Sequence, residues 1–162
     1  MPTVNDALEA GATAPRFRLP SNHGDVDIAD YRGKKGLVLY FIREFGCMTC
    51  QHHASTLVKA YAEIQGAGCE VLVIGGGSTA DAVKMVQRLK IPFPVLADGD
   101  RSVYAQYNVD KAFAVIQKSA TFVVDVDGKV VYAHLSTNPS GGLNLGELMA
   151  VVRARAAAAA GE

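Results

Sequence analysis

Six consecutive apolar residues, Leu37-Val38-Leu39-Tyr40-Phe41-Ile42, are followed almost at once by Cys47-Met48-Thr49-Cys50. A strand that is apolar at every position must be covered on both faces, so the chain needs a sheet with packed elements above and below it. Beyond the two thiols, Ala54, Leu57, Val58, Tyr61 and Ile64 fall at helical spacing, and Gly66-Ala67-Gly68 stops the pattern. The cysteines therefore open a helix at the exit of a buried strand, the place where function concentrates in open α/β sheets.

The rest of the chain fits this frame. Ala14–Pro20 and Val26-Asp27-Ile28 alternate apolar and polar around the turn residues Asn22-His23-Gly24-Asp25, which predicts a short N-terminal β-hairpin at a sheet edge. A second apolar strand, Val71–Ile74, ends in Gly75-Gly76-Gly77. Ser78 is then placed to cap a helix carrying Ala82, Val83, Val86 and Leu89 on one side. The run Ile91–Leu96 returns to the sheet, and a short helix is expected around Val103–Tyr107. Thr121–Asp125 and Lys129–Ala133, joined through Val126-Asp127-Gly128, read as a hairpin. Leu145, Leu148, Met149 and Val152 space a last helix, expected to fray into Ala156–Ala160. The pattern gives an α/β domain with a mixed central sheet, helices on both faces and the N-terminal β-hairpin. The expected organisation is a flexible segment 1–10, one domain over 11–155 and an Ala-rich tail over 156–162.

Basic and acidic residues balance at 16 each, so no electrostatic footprint points to nucleic acid or a membrane surface. No apolar stretch reaches the ~18 residues of a membrane span. No basic region followed by an apolar block marks a secretory signal at the N-terminus, and a cytoplasmic location is expected. Three cysteines do not make a disulfide framework; in a reducing compartment the close pair reads as catalytic or metal-binding. Cys69, at the start of an apolar run, reads as a small buried side chain.

Residues i and i+3 of a helix share a face with Cβ atoms roughly 5–6 Å apart, close enough for Cys47 and Cys50 to be joined as a disulfide after modest local adjustment. The N–H groups and partial positive charge of a helix N-terminus favour thiolate over thiol and are expected to lower the cysteine pKa below its ordinary ~8.5. Arg43, with His52 or His53, is placed to add positive field, and Thr49 to bring a hydroxyl near either sulfur. A zinc site is the weaker reading of Cys47, Cys50, His52 and His53: the adjacent histidines point about 100° apart on a helix, and no second C-x-x-C closes the site. The string Cys-Gln-His is not a haem attachment pattern. Gly75-Gly76-Gly77-Ser78 lacks the Gly-Lys-Ser/Thr ending of a phosphate loop and reads as a turn from strand to helix. No cofactor or metal is expected. His23 and His134 read as surface histidines.

These segments carry a resemblance. Gly11-Ala12-Thr13-Ala14-Pro15-Arg16-Phe17-Arg18-Leu19, Tyr31-Arg32-Gly33-Lys34 with Val38-Leu39-Tyr40-Phe41, Pro92–Asp98, and Thr121–Asp125 with Asp127-Gly128 resemble the alkyl hydroperoxide reductase/thiol-specific antioxidant (AhpC/TSA) family, the peroxiredoxins, over about residues 11 to 150. The resemblance implies a thioredoxin-like fold and an antioxidant peroxidase. Set on the family's P-x-x-x-T-x-x-C, the proline falls on Arg43, the threonine on Cys47 and the peroxide-attacking cysteine on Cys50. The family's active-site arginine falls on Ser119, with Lys118 beside it on the other strand face. Against the thioredoxin pattern, the position of the cis-proline holds Ala120, and the tryptophan before the motif is absent.

The chain thus resembles a C-x-x-C branch of the peroxiredoxins. It implies a thiol-dependent peroxidase acting on hydrogen peroxide or organic hydroperoxides: Cys50 is oxidised to a sulfenic acid and Cys47 resolves it as a disulfide. An external reductant, a thioredoxin-like protein or a low-molecular-weight thiol, then reopens the bridge. Ser55 occupies the place where one subclass has its resolving cysteine. Many relatives dimerise, and a homodimer stays open. One alternative is a thiol–disulfide oxidoreductase in which Cys47 is the nucleophile. Another is a non-catalytic redox sensor or metal-binding module.

Overall fold

Strand β3 (Gly36–Phe41) is buried along its whole length, as the apolar run requires. Its residues divide by alternation. Leu37, Leu39 and Phe41 enter one core cluster with Phe17, Leu72, Tyr104, Tyr107 and Phe122. Val38 and Tyr40, with Ile42 just beyond the strand, enter a second with Cys50, Leu57, Ile64 and Val73. The computed structural model describes residues 10–109, 111–112, 116–136 and 141–160.

The main sheet contains β1 (Arg18–Ser21), β2 (Gly24–Asp27), β3, β4 (Cys69–Gly75), β5 (Val95–Ala97), β8 (Ser119–Val124) and β9 (Val130–Ser136). Their spatial order is β2-β1-β5-β4-β3-β8-β9, and β6 (Lys111–Ala112) pairs with β7 (Ile116–Gln117) in a small separate sheet. β3, β4 and β5 run parallel. The β1–β2 hairpin and β8–β9 are antiparallel to their neighbours. The fold is the expected mixed α/β sheet.

Helices α1 (Met48–Gly66) and α2 (Thr79–Leu89) make the two crossovers. With α4 (Leu145–Ala160) they cover the Cys50 face. The short α3 (Ser102–Gln106) and the N-terminal segment cover the other. Ser78 caps α2 in a reciprocal capping box with Asp81.

Three expectations need adjustment. The run Ile91–Leu96 yields strand only over Val95–Ala97, because Pro92 and Pro94 have no N–H for a ladder. The last helix does not fray at Ala156 but continues to Ala160, since alanine has the highest helix propensity. Its Arg155 is also tied to Asp125 and to the Ala67 carbonyl. His134 is half-buried rather than on the surface: it is bonded to the Gly141 carbonyl and stacked on Tyr132. His23 is exposed as expected. Residues 1–9 of the expected flexible segment, and Gly161 and Glu162 of the expected tail, lie outside the described residues.

Candidate active site

At the end of β3 the chain leaves the sheet through Arg43, turns at Glu44–Cys47 and enters α1. The Cys47 N–H closes the turn by donating to the Glu44 carbonyl at 3.1 Å. The Gln51 side-chain amide reaches back to the Phe45 carbonyl at 2.9 Å. Cys47 is the N-cap of α1, with extended backbone, and its sulfur accepts the Cys50 N–H at 3.2 Å. Position i+3 then sets Cys50 on the inner face of the first turn, where its sulfur accepts the Arg43 N–H at 3.3 Å. Both thiols are free; Cys47 is half-buried, whereas Cys50 has no solvent exposure.

Cys50 departs from the electrostatic expectation of a lowered pKa. Burial pushes its pKa up to about 11; the Cys47 sulfur adds to the rise, and the Arg43 N–H and the Tyr40 hydroxyl oppose it. A helix N-terminus stabilises a thiolate that its N–H groups can reach. The N–H groups of Cys50 and Gln51 are directed to the sulfur and the carbonyl of Cys47. Desolvation therefore prevails.

The supporting residues fall in different places. Arg43 meets Cys50 through its backbone. No hydrogen bond joins its guanidinium to either sulfur, and its Nε is buried without a partner among the described residues. Thr49, half-buried on the first turn, bonds to neither sulfur. His52 is exposed. His53 is not the source of positive field that was expected: burial and the His52 charge lower its pKa, and its Nδ1 lies 3.1 Å from the Tyr40 hydroxyl. Ser119 is fully buried on β8, and its hydroxyl has no partner among the described residues. Pairing of Tyr40 with Thr121 puts Ser119 and Thr121 on the sheet face that carries Tyr40 and Cys50. Lys118 points its ammonium at the Asn108 carbonyl instead. Ser55 is half-buried along α1. Cys69 is buried as expected, and its sulfur also receives an N–H from Arg155 at 3.0 Å.

Several residues around the site escape a reading of the sequence. Tyr104 donates its hydroxyl to the Ile42 and Ile74 carbonyls at 2.6 and 3.0 Å and so clamps the ends of β3 and β4. Arg101 lies over the Tyr104 ring and donates to the Arg43 carbonyl at 3.1 Å. Phe45 rests on Gly75, where a Cβ would stand 2.4 Å from its ring, and Arg101 does the same at Gly76. The signal was the triple glycine: its lack of side chains makes room for the loop that carries the thiols. Tyr40 was hidden inside the apolar run.

The AhpC/TSA family model matches residues 10–133. The chain is 30% identical over 131 residues to peroxiredoxin Bcp of Escherichia coli (strain K12), an alignment covering 76% of this chain and 83% of that protein. The crystal structure of peroxidoxin BcpB from Mycobacterium tuberculosis superposes with a TM-score of 0.78 at 21% identity, over 93% of this chain and 97% of that one. The bacterioferritin comigratory protein of Xanthomonas campestris gives 0.79 at 21%, over 92% and 98%. The two structures establish a shared thioredoxin-like fold; the family match and the 30% identity go further, and the chain belongs to the AhpC/TSA family.

Proposed function

We propose that the protein is a thiol-dependent peroxidase reducing hydrogen peroxide or organic hydroperoxides, with Cys50 as the attacking thiol and Cys47 as the resolving one. The observation that carries this is the setting of the Cys50 sulfur: it sits at the end of β3 against the Arg43 N–H, with the second thiol within one helical turn. The peroxiredoxin relative at 30% identity supports the same chemistry. Attack on the terminal peroxide oxygen breaks the O–O bond and leaves Cys50 as a sulfenic acid. Cys47 then displaces hydroxide, which departs as water, and forms the disulfide. Cys47 is the more exposed sulfur, so a thioredoxin-like protein or a low-molecular-weight thiol attacks there and returns both thiols. Arg43 is assigned to the peroxide in place of the arginine that Ser119 replaces, and Thr49 to support the pair. Action in the cytoplasm fits this cycle, since thiol reductants are abundant there.

The test is stopped-flow oxidation of the reduced protein by hydrogen peroxide, followed by mass spectrometry. Oxidation well above the rate of a free thiol, ending in a Cys47–Cys50 disulfide, is expected. A rate equal to that of a free thiol would rule the peroxidase out.

The exposure of Cys47 and the burial of Cys50 also favour a second reading, disulfide exchange in which Cys47 attacks a protein disulfide and Cys50 releases the product. In a Cys47→Ser variant the peroxidase retains a sulfenic acid on Cys50, whereas the exchange enzyme loses its first step.

A further inference from the structure

A buried thiol with a raised pKa has to lose its proton before it can attack, and bulk water does not reach Cys50. The side chains around it offer one way out. Tyr40, fully buried on β3, packs in the same core cluster as Cys50, close enough for the two groups to perturb each other's titration. The same hydroxyl lies 3.1 Å from Nδ1 of His53. His53 is one helical turn beyond Cys50, so both side chains leave α1 on the side that faces β3. The imidazole is only half-buried, and its ring meets the Tyr40 ring edge-on at 6.1 Å.

We propose that Cys50, Tyr40 and His53 form a proton relay, with the Tyr40 hydroxyl passing the thiol proton outward and His53 acting as the general base at the solvent end. The proposal rests on Cys50 being the attacking thiol. As Sγ bonds to the terminal peroxide oxygen and the O–O bond breaks, the thiol proton moves to the Tyr40 oxygen. The phenolic proton moves to His53 Nδ1. The departing alkoxide takes a proton from solvent, and the imidazolium returns one to solvent, so one hydroperoxide and one thiol become one alcohol and one sulfenic acid. Tyr40 ends as it began.

The energetics assign the ends of the chain. Burial holds the Tyr40 phenol far above its ordinary value, so it passes a proton on and does not rest as phenolate. Burial and the neighbouring His52 keep His53 neutral to lower pH than an ordinary histidine, leaving it free to accept. The other titratable groups facing this chain are Cys47 on α1 and Tyr104 on α3. His134 on β9, opposite Thr121, is engaged by the Gly141 carbonyl.

The relay makes a kinetic signature that a packing role does not. In a Cys47→Ser background, the rate of Cys50 oxidation by hydrogen peroxide should fall as pH drops through the depressed His53 value and stay level above it. Adding His53→Gln, whose carbonyl still accepts from Tyr40 but holds no proton, should slow the reaction about 100-fold at neutral pH. It should also replace the plateau with a tenfold rise per pH unit toward the thiol pKa of about 11. Tyr40→Phe should give the same profile, with folding of each variant checked by circular dichroism. A rise of tenfold per unit already present with His53 intact would overturn the relay and needs no further variant, as would an unchanged profile in His53→Gln. Reaction of Cys50 with methyl methanethiosulfonate should give the same profile without peroxide. A relay seen there, beside peroxide oxidation no faster than a free thiol, would separate failure of the peroxidase reading from failure of the relay.

Discussion

The Cys47 sulfur accepts the backbone N–H of Cys50 at 3.2 Å, so one thiol of the pair is the cap of the helix that carries the other. The sulfur proposed to resolve the sulfenic acid is therefore also a helix cap. Cys47→Ser keeps an acceptor at the N-cap and should match the reduced parent in urea unfolding. Cys47→Ala removes it and should be less stable by about 1 kcal/mol. Equal midpoints for the two variants would show that the sulfur does not cap.

Gly75 lies under the Phe45 ring, and an added Cβ would come within 2.4 Å of it. Gly75→Ala should displace Phe45, and with it the loop that enters Cys47, at a cost of about 1–3 kcal/mol. Cys50 oxidation should slow in the same variant. Gly46→Ala, where nothing lies within 4 Å of the new Cβ, is the control for thermal unfolding and rate.

Two buried polar atoms near the thiols are unpartnered among the described residues, Arg43 Nε and Ser119 Oγ. Ser119→Ala removes a hydroxyl without a partner among the described residues and should leave stability unchanged or raise it by about 1 kcal/mol. Arg43→Ala should slow peroxide oxidation of Cys50 about 100-fold, the usual cost of losing a donor to the developing charge. Stopped-flow rates that do not change in Arg43→Ala would remove it from the peroxide site.

Arg155, nearly buried, binds Asp125 through Nε and Nη2, and through Nη1 it reaches the Ala67 carbonyl and the Cys69 sulfur. Burial would raise the Asp125 pKa, yet the Arg155 hydrogen bonds, the Val126 N–H and the Arg155 charge together hold it below the ordinary value. Stability from this pair is then fully present above the unfolded value of ~3.9 and lost as pH falls through the lower folded one. Arg155→Met should lose about 1–3 kcal/mol at neutral pH, with the gap to the parent narrowing below pH 4 in urea unfolding. A gap that stays constant with pH would deny the ion pair its role.

The fold was largely legible because its signals are local: the apolar run of β3, the Ser78 cap and the Asp127-Gly128 turn each depend on neighbours in sequence. The two cysteines were legible for the same reason. What escaped depends on residues far apart in the chain. Tyr40 follows the apolar pattern perfectly, and only the fold discloses that its hydroxyl meets His53 from another element. Arg101 is 58 positions from the carbonyl it bonds. At Cys50 the expected fall in thiol pKa failed because spacing locates a helix terminus but says nothing of how deeply its third residue is sealed.

Tyr104 binds the Ile42 and Ile74 carbonyls with a single hydroxyl, so the two strands behind the active loop are stapled together at their ends. Any adjustment that joins the two sulfurs is then directed to the opening turn of α1 rather than to the strand ends. A Cys47–Cys50 bridge would thus be made and reopened above a pair of strands whose ends are held in place.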